Sequence, residues 1–294
     1  MTTATATQIT TEDVEYLRHG TKPLLLRLHK PKGRGPFPAL IELHGGAWHH
    51  GDRNVEASRH TALAERGILV ESLDFRQGVE GAYPQGVADI NYAIRWVKAH
   101  AKDLNARPGA VGVSGQSSGG HLAMLAAMRP NDPRYRAIAL PSGAPAVDAS
   151  VACLVMSWPV INPLSRYRHA KRGRDAGGAW ANDLIAGHDE FWRSEANMAD
   201  GSPTLILERG EKVATPPALW IQAPGDNVHD YRDPEGSFDG NEPQRFADRY
   251  RKAGGAIDLV YFDAPLRFTS VAPASAPSLA AFDRIAAFLQ QHLG

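Results

Sequence analysis

The tightest constraint this chain places on its own folding is the segment Gly115-Gln116-Ser117-Ser118-Gly119. An apolar run, Ala110-Val-Gly-Val-Ser114, precedes it, and an apolar stretch of helical length, Ser118 to Met128, follows. A strand and a helix joined by so few residues need a sharp turn, and the flanking glycines remove the side chains that would clash in it. Such turns lie at the carboxyl ends of strands in open α/β sheets. The serine is held clear of the backbone, at a helix N-terminus where free N–H groups favour developing negative charge. Ser117 is therefore the candidate nucleophile.

The rest of the chain alternates between strand-like and helix-like segments, the pattern of a mostly parallel sheet covered on both faces. Eight strands are expected: Val14 to Arg18, Leu24 to His29, Pro38 to Leu43, Ile68 to Leu73, Ala110 to Ser114, Val151 to Met156, Pro217 to Gln222 and Ile257 to Phe262. Between them fall helices at Val55 to Arg66, Val87 to Ala101, Ser118 to Met128, Gln244 to Ala253 and Leu279 to Leu293. A hydrophobic content of 43% is enough for one sizeable core. One domain is expected over residues 13–294, with a disordered tail over 1–12. Residues 157–215, rich in Arg, Gly and Trp, exceed any ordinary connection and predict a lid or cap insertion.

Lys+Arg and Asp+Glu both number 32, so no charge excess favours nucleic acid or anionic membranes. No run approaches the roughly 20 apolar residues of a membrane span. Met1 to Thr7 lacks the basic and apolar regions of a secretory signal. The single cysteine, Cys153, lies in an apolar run and reads as a buried small hydrophobe in a reducing compartment. A cytoplasmic protein is expected.

Upstream of the serine, His44-Gly45-Gly46-Ala47-Trp48 follows a strand. Consecutive glycines let backbone N–H groups converge on one point, as stabilising an oxyanion requires. A metal site using His44, His49 and His50 lacks a cysteine or carboxylate at ligand spacing and is not expected. With Gly51-Asp52-Arg53, Asp74-Phe-Arg76, Tyr83-Pro84 and Gly119-Gly-His121-Leu-Ala123, the chain resembles the hormone-sensitive-lipase-like and kynurenine-formamidase-like carboxylesterases of the α/β-hydrolase superfamily. The resemblance runs from about residue 20 to the C-terminus and is weakest in the insertion. It implies an α/β-hydrolase fold and oxyanion donors at the backbone N–H groups of Gly46, Ala47 and Ser118. It also implies that Asp52 and Arg53 brace the loop and that His121 packs its helix.

In these relatives an acid follows the seventh strand in a glycine-containing turn, two residues before a valine, and Asp226 takes that place. Asp230 and Asp233 are nearby alternatives. The relatives carry their histidine after the last strand, usually as Pro-His-Gly-Phe; here Pro265-Leu266-Arg267-Phe268 puts a leucine in that slot. Three readings follow. His229, three residues past Asp226, is a relocated base, since a triad is defined by geometry and not by chain order. Alternatively the chain binds a small ester or acid without turnover. The third is an ordinary esterase carrying a substitution at Leu266.

In the insertion, Trp158, Tyr167, Trp180, Phe191 and Trp192 are expected to line an apolar pocket or to anchor the insertion to the core. Arg166, Arg168, Lys171, Arg172 and Arg174 read as a solvated basic face, with a carboxylate-bearing substrate as the alternative. The resemblance implies a small-molecule ester substrate, no metal or organic cofactor, and hydrolysis through an acyl-enzyme, with amidase or formamidase activity as the alternative. Apolar surface on the insertion would allow a homodimer.

Overall fold

The computed structural model describes residues 9–294. Its strands are β1 (Thr10–His19), β2 (Lys22–Lys30), β3 (Phe37–Leu43), β4 (Leu69–Leu73), β5 (Ala106–Gln116), β6 (Leu154–Ser157), β7 (Ala218–Gln222) and β8 (Ile257–Tyr261). They form an eight-stranded sheet in the order β1-β2-β4-β3-β5-β6-β7-β8. β2 runs antiparallel to both β1 and β4; every pairing from β4 through β8 is parallel.

The expected strands and helices are present, with shifted ends. Of the tail expected over residues 1–12, residues 1–8 lie outside the described residues, and Thr10 to Glu12 open β1 instead. The sequence hides the start of this strand because its first side chains are exposed and mostly polar, so no apolar alternation marks it. Pairing fixes it: Thr10 faces Lys30, and Glu12 and Asp13 form ion pairs with Lys30 at 2.6 Å and Arg27 at 2.7 Å on β2.

The helices cover both faces. α1 (Ala57–Ala64) and the C-terminal α10 (Ala276–Leu293) pack on one side. α2 (Gln85–Ala99), α3 (Ser118–Met128) and α8 (Glu242–Lys252) pack on the other. Alternation along β3 serves both cores: Ala39, Ile41 and Leu43 face α2 and α3, and Leu40 faces α10. Between β6 and β7 the expected insertion is helical: α4 (Pro163–Asp175), α5 (Ala181–Trp192), α6 (Glu195–Asp200) and α7 (Pro203–Glu208). Asn162, Ser194 and Ser202 cap α4, α6 and α7 by accepting a backbone N–H three residues on. A short α9 (Phe268–Val271), absent from the sequence reading, follows β8. Among the described residues no helix is long and apolar enough to cross a membrane.

Candidate active site

Ser117 sits between β5 and α3 with φ 49° and ψ −118°, a conformation costly for a residue with a side chain. Its neighbours hold it there: its N–H donates to Ser157 O at 3.0 Å, and its carbonyl accepts from Val160 at 3.0 Å and His121 at 3.1 Å. The glycines are required by close approach. A Cβ at Gly115 would lie 2.4 Å from Gly119 C, and one at Gly119 would lie 2.2 Å from Leu43 O. The serine turn and the end of β3 are thus in backbone contact.

That contact brings the glycine loop over the serine. Gly46, Ala47 and Trp48 all have positive φ, and a Cβ at Gly46 would lie 2.0 Å from His50 O. The backbone N–H groups of Gly46, Ala47 and Ser118 have no hydrogen-bond partner among the described residues. Asp74 accepts from the Arg53 backbone and guanidinium, each at 2.9 Å, which ties the loop to β4. Trp48, buried beneath the loop, donates to His121 Nδ1 at 3.3 Å, and His121 Nε2 donates to Gly201 O at 2.8 Å. His121 therefore packs its helix. His44 is spent locally, with Nδ1 donating to Gly45 O at 2.7 Å and its ring stacked on Phe75. A carboxylate does reach His49 and His50: Asp183 on α5, whose oxygen accepts from His50 Nε2 at 3.0 Å. The ligand atoms of His49, His50 and Asp183 lie within 4.8 Å of one another.

The turn after β7 delivers both remaining side chains. Asp226 Oδ1 accepts from the backbone N–H groups of Val228 at 3.0 Å and His229 at 3.2 Å, folding the segment back on itself. Asp226 Oδ2 accepts from His229 Nδ1 at 2.8 Å. His229 Nε2 in turn accepts from Ser117 Oγ at 2.9 Å. Ser117, His229 and Asp226 thus form one hydrogen-bonded chain, with the side chains of Asp226 and His229 only 5% and 8% exposed. Leu266 lies on the wall of the same cavity. Asp230 and Asp233 turn elsewhere: Asp230 accepts from Asn241, and Asp233 faces Arg172 and Arg245.

Burial is the main influence on His229 and holds its imidazole below the ordinary value, against the upward pull of Asp226. The ring is therefore neutral near pH 7, with Nε2 free to accept a proton. For Asp226, burial pushes the carboxyl up. The hydrogen bonds and charge of His229, with the N–H groups of the turn, outweigh it and keep the carboxyl below its usual value. Cys153 is fully buried and its thiol is pushed up to about 12, as suits a packing residue.

A cavity of about 750 Å³ opens over Ser117 and His229. The insertion supplies one wall through Arg166, Trp180, Asp183 and Leu184, and Trp158 at the end of β6 adds to it. Of the insertion's other aromatics, Phe191 and Trp192 pack on Trp48 and anchor the helices, while Tyr167 donates to Asp189 at the surface. The basic run also divides. Arg168 and Arg172 are partly exposed and paired with Glu195 and Glu235, as a solvated face requires. Arg166 is instead buried, a correction to its reading as part of that face. The spacing carried the signal: Pro163, Arg166 and Ala170 recur on one side of α4, and all three are buried.

The family model BD-FAE matches residues 26–200. The chain belongs to this family. Among curated proteins, the chain is 36% identical over 103 residues to the probable carboxylic ester hydrolase LipM of Mycobacterium tuberculosis. That match covers 35% of this chain and 24% of LipM. Carboxylic ester hydrolase LipN of the same organism is 29% identical over 245 residues, 80% of this chain and 58% of LipN. These matches thus span between a quarter and three-fifths of the relatives' own lengths. The crystal structure of EstE1, a carboxylesterase cloned from a metagenomic library, superposes with a TM-score of 0.73 at 23% identity, covering 98% of this chain and 91% of EstE1. The BD-FAE chain has the α/β-hydrolase fold.

Proposed function

We propose that the chain hydrolyses carboxylic esters of small or medium size through an acyl-enzyme on Ser117. The observation that carries this reading is the unbroken path from Ser117 Oγ through His229 to Asp226, at 2.9 and 2.8 Å. In the reaction, Ser117 Oγ attacks the carbonyl carbon as His229 Nε2 takes its proton. Asp226 holds the Nδ1–H tautomer and stabilises the imidazolium. The oxygen of the tetrahedral intermediate sits against the N–H groups of Gly46, Ala47 and Ser118, which have no partner among the described residues. His229 then gives its proton to the leaving alcohol, and the same base activates the water that clears the acyl group.

Membership of the BD-FAE family and the ester hydrolases among the relatives support ester chemistry. The rival reading, a binding protein without turnover, rested on Leu266 alone. A histidine three residues past the acid supplies the acceptor that the leucine cannot. The cytoplasmic location belongs to this same reading and rests on the one buried cysteine.

The test is turnover of short-chain p-nitrophenyl esters by the parent beside Ser117→Ala and His229→Ala, with a formanilide to rank amide against ester cleavage. Robust ester turnover lost in both variants is the expected result. An active parent indifferent to His229→Ala would overturn the assignment of the base.

A further inference from the structure

Arg166 projects from the first turns of α4 into the wall of the cavity that holds Ser117 and His229. It is 1% exposed, and none of its three guanidinium nitrogens has a hydrogen-bond partner among the described residues. The Trp48 ring lies 5.2 Å from the guanidinium carbon. A buried cation left this way is costly, because the charge of Asp226 offsets its desolvation only in part. The other deeply buried arginine, Arg59, shows the usual solution: it donates to Ser157 and Ser114 beside Glu42. The carboxylates that share the cavity with Arg166 are engaged elsewhere. Asp226 holds His229, Asp183 pairs with His50 at the rim, and Glu56 accepts from Ser270.

We infer that Arg166 binds a carboxylate on the substrate, so that the preferred ester carries an acidic group on its acyl or alcohol part. This inference rests on the ester-hydrolase reading and narrows its substrate class. A guanidinium fork matches a carboxylate bidentately, and that pairing in a water-poor pocket is among the stronger polar contacts a protein makes. Burial pulls Arg166 down only to about 10, so it remains a cation at neutral pH. The cavity holds both the reacting carbonyl and a second polar group, and its apolar walls at Trp158, Trp180 and Leu184 suit the carbon chain between them. Arg166 also lies near enough to His229 to help keep the imidazole neutral. A role confined to that effect would act equally on every ester.

The experiment compares kcat/KM for p-nitrophenyl butyrate, mono-p-nitrophenyl glutarate and 3-acetoxybenzoate in the parent, Arg166→Met and Arg166→Lys. The parent should favour an acidic ester over the neutral one. Arg166→Met should lose at least about 100-fold more on the favoured acidic ester than on the butyrate, with Arg166→Lys in between. No acidic preference in the parent, or equal losses on all three esters, overturns the inference. If the parent cleaves none of them, the ester reading fails, and the subsite is judged by binding. Monomethyl glutarate is then titrated calorimetrically into Ser117→Ala and into Ser117→Ala/Arg166→Met. Heat seen only with the arginine present upholds the carboxylate site; equal or absent heats overturn it. Methionine in place of the unpaired cation should also raise the melting temperature of the ligand-free protein, so a variant that folds is expected.

Discussion

At the scale of single residues, the proposed site turns on His229, which bonds Ser117 from the turn after β7, while Leu266 stands after β8. Asp226, three residues before His229, both orients it and shapes the turn that carries it, so the proposed acid and base arrive as one preformed unit. Removing the nucleophile or the base should each lower kcat/KM by about 10⁴-fold or more, and the double variant should be no worse than the singles, because the groups act together. The kinetics of the three variants check this, and additive losses would separate Ser117 from His229. The pH profile gives an independent reading. His229 is held below the ordinary imidazole value of about 6.5, chiefly by burial. It therefore stays neutral as pH falls through 6.5 and is protonated only lower. The acid limb of kcat/KM should have its midpoint below 6.5, and a midpoint above it would contradict a buried base. What the sequence disclosed here follows from locality. The serine turn, the glycine loop and the Asp226–His229 pair are short-range features, each legible in a handful of adjacent residues. Arg166 was less plain: only its spacing with Pro163 and Ala170 along α4 marks it as buried, while its neighbours Arg168 and Arg172 are solvated.

At the scale of elements, the end of β3 and the start of α3 are locked together through glycine. A methyl group at Gly119 would lie 2.2 Å from Leu43 O and 2.4 Å from His44 O, both rigid backbone atoms. Gly119→Ala must therefore push the glycine loop away from the serine turn. A loss of about 3 kcal/mol is expected, with activity falling beyond what the unfolded fraction explains. Urea midpoints read alongside kcat test this, and an unperturbed variant would mean the two elements part without cost. The loop after β8 offers the complementary case. Leu266 occupies the slot where the resemblance implies a histidine, yet the Ser117 acceptor already comes from the β7 turn. Leu266→His should accordingly bring no gain in turnover. A large gain would show that His229 is not the working base. The elements hidden from the sequence share a cause. The first residues of β1, Thr10 to Asp13, are a polar edge defined by their partner strand, and α9 is a single turn. The insertion's helices take their places from packing on Trp48 and from their caps, not from long amphipathic runs.

At the scale of the whole molecule, ionisable groups buried in and against the sheet, outside the cavity lining, set how stability responds to pH. Glu71 on β4 is fully buried, without a partner for either oxygen among the described residues, and its carboxyl is pushed up to about 8 by burial alone. The folded state thus holds its proton where the unfolded chain, titrating near 4.3, has released it. The sign follows from proton linkage: stability from this group is fully present below about pH 4.3 and is lost as pH rises towards 8. The slope is about 1.4 kcal/mol per pH unit between those limits, and it flattens above 8, where both states are ionised. Other groups oppose it in part. His29 on β2 is held down to about 4 by burial, and His60 on α1 is held well below its ordinary value, so they favour unfolding as pH falls below 6.5. Comparison with Glu71→Gln cancels those contributions, since the amide keeps the shape and never ionises. The stability of the variant relative to the parent should rise from pH 5 to pH 8 and then level off, measured by chemical denaturation at unit steps of pH. A difference that stays flat across that range would mean that Glu71 is ionised in the folded protein, with a counter-charge or water reaching the centre of the sheet.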